Sequence, residues 1–403
     1  MMKKLLLGAA AVAMLSTAAM ASVMIAEIPG ATTVGTPYRV GGMSADGAYV
    51  GFSRNRWVPS HNNYFDGGSL YEVATGNIID LDFVSGSVGV RGVATWSGGA
   101  PVTVTVEEAG STDLGGYREG LGGARLRHSG ATNTHHTQPG NWNTISLNAD
   151  GDGWIVGTRY AANNFLGWQV TGGVVNDTAV ADAHVYPGNN VLNGVSHTGM
   201  AIGNWRSTDP SWDRAFVVDL NDIANRRALD LSQVGNVNRG QGNAVSDNGL
   251  FAGGYAFVDD ANSLNGFRLE IASDFPAQDG TYTRLLPYGY DPNLGQQSNV
   301  FDMADDGMAV GSSFTTRQDA AVWLAGSDQA ILLYDWLVDL GVDMSGWDSL
   351  NRAVSVSADG LTIAGLGTLA GGGGEAAFVA IVPEPATLSF LALGGLALLR
   401  RRR

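Results

Sequence analysis

The chain has no cysteine, and its 403 residues hold only 23 lysines and arginines against 38 aspartates and glutamates. Without cysteine there are no disulfides, thiol nucleophiles, iron–sulfur clusters or thiolate zinc sites. A chain of this kind must take its stability from packing. The shortage of positive charge is sharper in the body. With Lys3, Lys4, Arg400–Arg403 and Glu384 set aside, 17 basic residues face 37 acidic ones, a net charge of −20. That balance disfavours nucleic acid and anionic lipid as partners of the body and favours solubility in salt. Helix signals are also scarce: only Asp335–Leu340 suggests a short helix. The glycine-rich stretches at 115–123 and 371–374 lack the Lys-Ser/Thr ending of a phosphate-binding loop and read as loops. No Gly-x-Ser-x-Gly elbow is present.

What the chain has is glycine, 57 residues of it, arranged in a recurring phrase. Asn243-Ala-Val-Ser-Asp-Asn-Gly-Leu-Phe-Ala-Gly-Gly254 is the fullest copy. The first turn glycine of each copy falls at 47, 153, 199, 249, 307 and 360. The first gap is about twice the others, which places a degenerate copy between Gly89 and Gly99, around Val93-Ala94-Thr95-Trp96. Asp-Gly or Asn-Gly between apolar runs is a strong hairpin signal, with both central residues expected at φ > 0. The residues that follow each turn, such as Val50, Ile155, Ile202, Val310 and Ile363, are strand formers. The closing glycine of each copy is expected to bulge the strand or admit a neighbouring backbone.

A second strand pair follows in most units, as in Arg214–Leu220 with Arg227–Leu231, and Ala320–Leu324 with Ala330–Leu333. Four strands in a unit of roughly fifty residues is the signature of a propeller blade. The expected fold is therefore all-β, a repeat β-propeller of about seven four-stranded blades over residues 22–382. A β-solenoid or a sandwich of repeats is the alternative. The last unit is one strand short, and Met24–Ile28 is positioned to supply it.

The phrases Arg214-Ala215-Phe216, Glu375-Ala376-Ala377-Phe378 and Ser-x-Asp-Gly-x-x-Val-Gly resemble the extracellular HAF-type repeat family, with Arg or Ala in place of its histidine. The resemblance implies a secreted, β-rich repeat protein and brings no catalytic residues with it.

Both termini read as sorting signals. Residues 1–21 form a signal peptide, expected as a helix: Lys3 and Lys4, the apolar run Leu5–Leu15, and a small-x-small site at Ala19 and Ala21 before Ser22, for signal peptidase. Residues 383–403 comprise Pro383-Glu384-Pro385, fourteen uncharged residues over Ala386–Leu399, expected as a hydrophobic helix, and Arg400, Arg401, Arg402 and Arg403. This resembles the PEP-CTERM sorting signal of Gram-negative bacteria. The apolar segment is about 21 Å long as a helix, against a hydrocarbon core of ~30 Å, so it lodges with snorkelling arginines held on the cytoplasmic side. The resemblance implies an exosortase-type membrane protease as partner, transient inner-membrane anchoring, passage to the cell surface or matrix, and an association with exopolysaccharide.

Three clusters suggest site chemistry. Asn148, Asp150 and Asp152 have the alternate spacing of a calcium loop, but its twelfth position is Arg159 where a bidentate Glu is required, so a plain hairpin competes. His128, His135 and His136 cluster in what reads as a polar loop and could hold a transition metal, though without nearby carboxylates. Trp57, Tyr64, Trp142, Trp154, Trp168, Trp205 and Trp212 are either sugar-stacking platforms or wedges between blades. Adjacent carboxylates such as Glu107-Glu108, Asp259-Asp260 and Asp305-Asp306 point to opposite strand faces and cannot pair for glycoside hydrolysis. The sequence therefore points to a non-enzymatic exported surface or matrix protein without a cofactor. The alternatives are a secreted carbohydrate-active hydrolase or lyase and a calcium-dependent adhesin.

Overall fold

The computed structural model describes residues 23–30, 40–58, 63–80, 87–95, 102–108, 124–128, 134–136, 141–159, 164–172, 174–175, 181–183, 186, 190–206, 213–235, 238–258 and 263–382. The signal segment with Ala19, Ala21 and Ser22 lies outside them, as does the sorting segment with Pro383, Glu384, Pro385 and Arg400–Arg403. So do the two helices expected there. No helix among the described residues is long and apolar enough to cross a membrane.

The repeated phrase folds as a self-capped turn. Ser246 O accepts from Gly249 N–H at 2.9 Å, so Asp247 and Asn248 are the central residues and Gly249 follows them at φ +77°. Asn248 Oδ1 accepts from Ser246 Oγ at 2.8 Å and from Leu250 N–H at 2.9 Å, and Ser246 Oγ accepts from Phe251 N–H at 3.0 Å. Ser44 with Asp46 and Ser357 with Asp359 repeat the arrangement. The glycine thus stands after the turn, which corrects the expected two-residue Asp-Gly centre. A four-residue loop, Asp247–Leu250, closed by Ser246 N–H donating to Phe251 O and with glycine in the left-handed position, gives the same hairpin.

Each repeat is an antiparallel meander. The sheets are Val40–Met43, Tyr49–Val58, Asn63–Glu72 and Ile78–Asp80; Ser87–Ala94, Val102–Glu108, Ala124–His128 and Thr134–His136; Asn190–Val195, Met200–Arg206, Asp213–Asp219 and Arg226–Ala228; Gly240–Val245, Phe251–Phe257, Leu264–Ile271 and Gly280–Leu285; Gln297–Met303, Ala309–Phe314, Gln318–Trp323 and Ile331–Leu332; and Trp347–Val356, Thr362–Leu369, Glu375–Ile381 and Met24–Glu27. The degenerate copy near Gly89 is the second of these. The expectation of about seven blades all of four strands is corrected: six of the sheets have four strands. The sheet built on Asn141–Leu147, Gly153–Arg159 and Asn164–Thr171 has five, because two short pieces, Val174–Val175 and Ala181–Ala183, share its outer edge.

Met24–Glu27 pairs antiparallel with Glu375–Ile381, Met24 opposite Ile381 and Glu27 opposite Phe378, so the first strand completes the last sheet. Each sheet packs on the next and the last packs on the first, so the ring closes. The seam core contains Ile28, Val40, Phe52, Leu366 and Val379. The short helix Leu333–Asp339 buries Leu333 and Leu337 against the final two sheets, close to where the sequence placed it.

Every first strand carries a bulge just before its turn, between Leu192 and Gly194, Gly242 and Ala244, and Val300 and Asp302 among others. Two of the bulged residues tie neighbouring sheets. Asn193 Nδ2 donates to Gly242 O at 2.8 Å, and Asn243 Nδ2 donates to Val300 O at 2.7 Å. Gly311 in the second strand faces this irregular segment, and a Cβ built there collides with Asn299 O. A backbone atom cannot swing aside. Gly311→Ala is therefore expected to cost more than ~3 kcal/mol of stability, measured by urea unfolding, and a loss under ~1 kcal/mol would contradict the close-approach role.

Candidate functional site: the acidic mouth of the central channel

The first strand of every sheet lines a central channel of about 390 Å³. Small residues such as Gly92 and Gly194 keep it narrow, because they let adjacent first strands approach. Its polar lining includes Ser146, Asn193, Asn243, Asp247, Asp302 and Ser355. Two carboxylates and no lysine, arginine or histidine stand among the described lining residues.

The self-capped turns ring one end of this channel and bond to each other. His197 N–H donates to Asp247 O at 3.2 Å, Asp305 N–H to Ala358 O at 2.8 Å, and Ala358 N–H to Ala45 O at 2.7 Å. Asn248 N–H donates to Asp305 Oδ1 at 2.8 Å. The second turn residue varies from copy to copy: Ala45, His197, Asp247, Asp305 and Ala358.

Asp247 is the hub of this rim. Its Oδ2 lies 3.0 Å from His197 Nδ1 of the preceding sheet, and its Oδ1 accepts from Ser146 Oγ of the five-stranded sheet. Asp302 sits one residue past the bulge of Gln297–Met303. Its Oδ2 accepts from Ser355 Oγ at 2.7 Å and Val356 N–H at 2.9 Å, and its Oδ1 accepts from Met303 N–H at 2.9 Å. Asp302 is only partly exposed, and it opens into the narrow channel with protein around it. Burial pushes its carboxyl up to about 6, against the pull of the three donors, and the negative charge of Asp247 adds to the rise. Burial also raises Asp305.

Chemically, the mouth is a hydrogen-bonded acidic collar. Ser146 Oγ and His197 Nδ1 both go to Asp247, on different oxygens. The hydroxyl therefore donates to a carboxylate instead of to the imidazole, which is not the order of an activated nucleophile.

The residues singled out in the sequence lie elsewhere. Asn148 Oδ1 accepts from Asp150 N–H at 2.9 Å and Asp152 N–H at 3.0 Å, and Asp152 Oδ1 accepts from Gly172 N–H at 2.9 Å, so this segment is a capped hairpin turn. No group of three His, Cys, Asp or Glu among the described residues is placed to hold a metal. His128 lies in the strand Ala124–His128 and His135 and His136 in Thr134–His136, in place of the expected loop, with His136 opposite Ala124 and His128 opposite Val102. Trp154, Trp168 and Trp205 are 3%, 1% and 7% exposed, which decides for the second of their two readings: they are core wedges. Trp57 and Tyr64 are opposite each other on paired strands, Trp142 is also in a strand, and Trp212 lies outside the described residues.

The collar went unread because its parts lie far apart in the chain, Ser146 and Asp247 being 101 residues apart. One signal was available. Asp302 occupies a position that is Gly42, Gly194 and Ala244 in other copies, so the repeat departs there from its small residue.

This architecture defines the chain as a β-propeller. No protein-family model matches it, and no curated protein matches it in sequence. Among solved structures it is similar to the β-propeller domain of the Trilobed protease from Pyrococcus furiosus, at 8% identity and TM-score 0.53, covering 86% of this chain and 94% of that one. It also matches a puromycin-hydrolysing peptidase of Mycobacterium tuberculosis at 11% identity and TM-score 0.49, over 85% of this chain and 51% of that one. A third match is a functionally unknown protein from Desulfotomaculum acetoxidans, at 12% identity and TM-score 0.43, over 74% and 86% of the two chains. Likeness at such identities shows the fold alone.

Proposed function

We propose that the chain is an exported, non-enzymatic surface or matrix propeller that associates with exopolysaccharide. Signal peptidase removes residues 1–21, and the segment 383–403 holds the protein briefly in the inner membrane until an exosortase-type protease cuts near Pro383-Glu384-Pro385. The sequence of the two termini supports the route. The observation that carries the non-enzymatic part is the wiring of the collar, in which Ser146 and His197 are both spent on Asp247. The test is co-sedimentation of the purified full-length chain with the producing cell's exopolysaccharide, with an assay for new reducing ends. The expected result is bound, intact polymer. Release of reducing ends, or no association, would sink this reading.

One observation favours a second reading, a carbohydrate-active enzyme. Asp302 and Asp247 face one cavity, and Asp302 is raised towards neutrality as a general acid requires. Reducing ends released by the wild type and lost in Asp302→Asn would establish it.

A further inference from the structure

Asp302 is a carboxylate in the wall of a closed ring, and all three of its hydrogen-bond donors, Ser355 Oγ, Val356 N–H and Met303 N–H, are neutral. The charged neighbour that acts on it is Asp247, also negative. His197 contacts Asp247 and is not part of the channel lining. The fold does not demand an acid here, because Gly42, Gly194 and Ala244 fill the same place in other repeats. A buried charge without a cation lowers folding stability, and such groups concentrate where something is bound.

The rest of the lining has acceptors to offer. The carboxamides of Asn193 and Asn243 spend their amide protons within the protein: Asn193 Nδ2 on Gly242 O and Asn204 Oδ1, Asn243 Nδ2 on Val300 O and Asn299 Oδ1. What remains of these side chains is the accepting oxygen. The ligand must therefore bring both positive charge and several hydrogen-bond donors. A hard divalent cation wants six or more oxygen ligands, more than one oxygen from each of these two carboxylates and two carboxamides supplies. An ammonium group brings three donors and one charge. The volume of about 390 Å³ is at the small end for ligand sites and has room for one sugar ring.

We propose that the central channel binds a protonated primary amine, free or carried by an amino sugar, through the carboxylates of Asp302 and Asp247, with the Asn193 and Asn243 carboxamide oxygens as further acceptors. The site deepens the propeller's role without depending on the matrix reading. If glucosamine binds while exopolysaccharide does not co-sediment, the matrix reading falls and the site stands. If exopolysaccharide and glucosamine bind Asp302→Asn as well as wild type, the site falls and the matrix reading stands.

The experiment is calorimetric titration of the purified full-length chain at neutral pH with glucosamine, N-acetylglucosamine and a fully de-N-acetylated glucosamine oligosaccharide. Glucosamine is expected to bind, its N-acetyl form not to, and Asp302→Asn to weaken glucosamine at least about tenfold, as loss of a charge-assisted hydrogen bond does. Tighter binding of the oligosaccharide assigns the amine to a polymer, and tighter binding of the monomer assigns it to a free metabolite. Both outcomes uphold the amine site. Equal binding of the acetylated sugar, undiminished binding to Asp302→Asn, or no binding of any amine would overturn it. The variant keeps a carbonyl oxygen for Ser355 and Val356, so its fold is expected to survive, and its melting curve checks that.

Discussion

Asp302→Asn is expected to raise the stability of the protein at pH 7 and to flatten its dependence on pH between about 4 and 7. The folded carboxyl is raised to about 6, against ~3.9 in an unfolded chain. A raised carboxyl contributes stability that is fully present below the unfolded value and is lost as pH rises through the folded one. The wild type should therefore lose stability from pH 4 to pH 7, by up to ~3 kcal/mol for a shift of this size. Water in the channel reduces that to ~1–2 kcal/mol. Asparagine is neutral throughout. Both cross-sheet donors, Ser355 Oγ and Val356 N–H, converge on Oδ2, so the carboxamide oxygen can accept both. The Met303 N–H bond to Oδ1 is the one contact at risk. Thermal melts of both proteins at pH 4.5 and 7 decide the matter. The variant should melt a few degrees higher at pH 7 and nearly level with wild type at pH 4.5. Some slope will remain, because burial also raises Asp305 and Asp319. A variant less stable than wild type at pH 7 would show that the ionised carboxylate holds the ring together rather than straining it.

Ile28→Ala is expected to cost ~2–5 kcal/mol, the range for a large buried side chain cut back in a packed core. Ile28 is 1% exposed, and its N–H donates to Ala377 O at 2.9 Å, just past the strand that completes the last sheet. It packs in the seam with Val40, Phe52, Leu366 and Val379. The ring has no disulfide to lock it, so this seam is where its first and last sheets are held together. Urea unfolding measures the loss. Hydrogen exchange should place it: amides of Glu375–Ile381 and Val40–Met43 lose protection first. Leu269→Ala is the control, with its cavity between the sheets of Gly240–Val245 and Asp213–Asp219. It should lower global stability while seam amides stay protected relative to the rest. Uniform loss of protection in Ile28→Ala would mean that the ring unfolds as one unit and the seam is not its weakest join.

Much of this architecture was legible because it is local. The Ser-x-Asp/Asn-Gly phrase specifies its own turn through bonds spanning two to five residues, such as Ser246 to Asn248 and Phe251 to Ser246. The repeat of roughly fifty residues marks one meander, and apolar strands on both sides of the turn can only be buried by stacking. Even the closing role of Met24–Ile28 followed from the shortfall of the last unit. The turn type did not, since Asp-Gly reads equally well as the centre of one turn or the end of another. The aromatic residues stayed open for a related reason. A tryptophan near an inter-strand loop is compatible with a sugar platform or a wedge, and only packing buries Trp154 and Trp168.

The sequence by itself determined the repeating hairpin, the all-β ring and the acidic character of its body, because each depends on residues within one unit or on composition summed over all of them. Tertiary structure alone decided the channel and its collar. Ser146, His197, Asp247 and Asp302 belong to different repeats and meet only when the sheets close around a common axis, so no spacing along the chain records their contact. The environment of Asp302 is also a tertiary property. The same aspartate on an isolated hairpin would be solvated, and enclosure by neighbouring first strands is what withdraws it from water and raises its carboxyl.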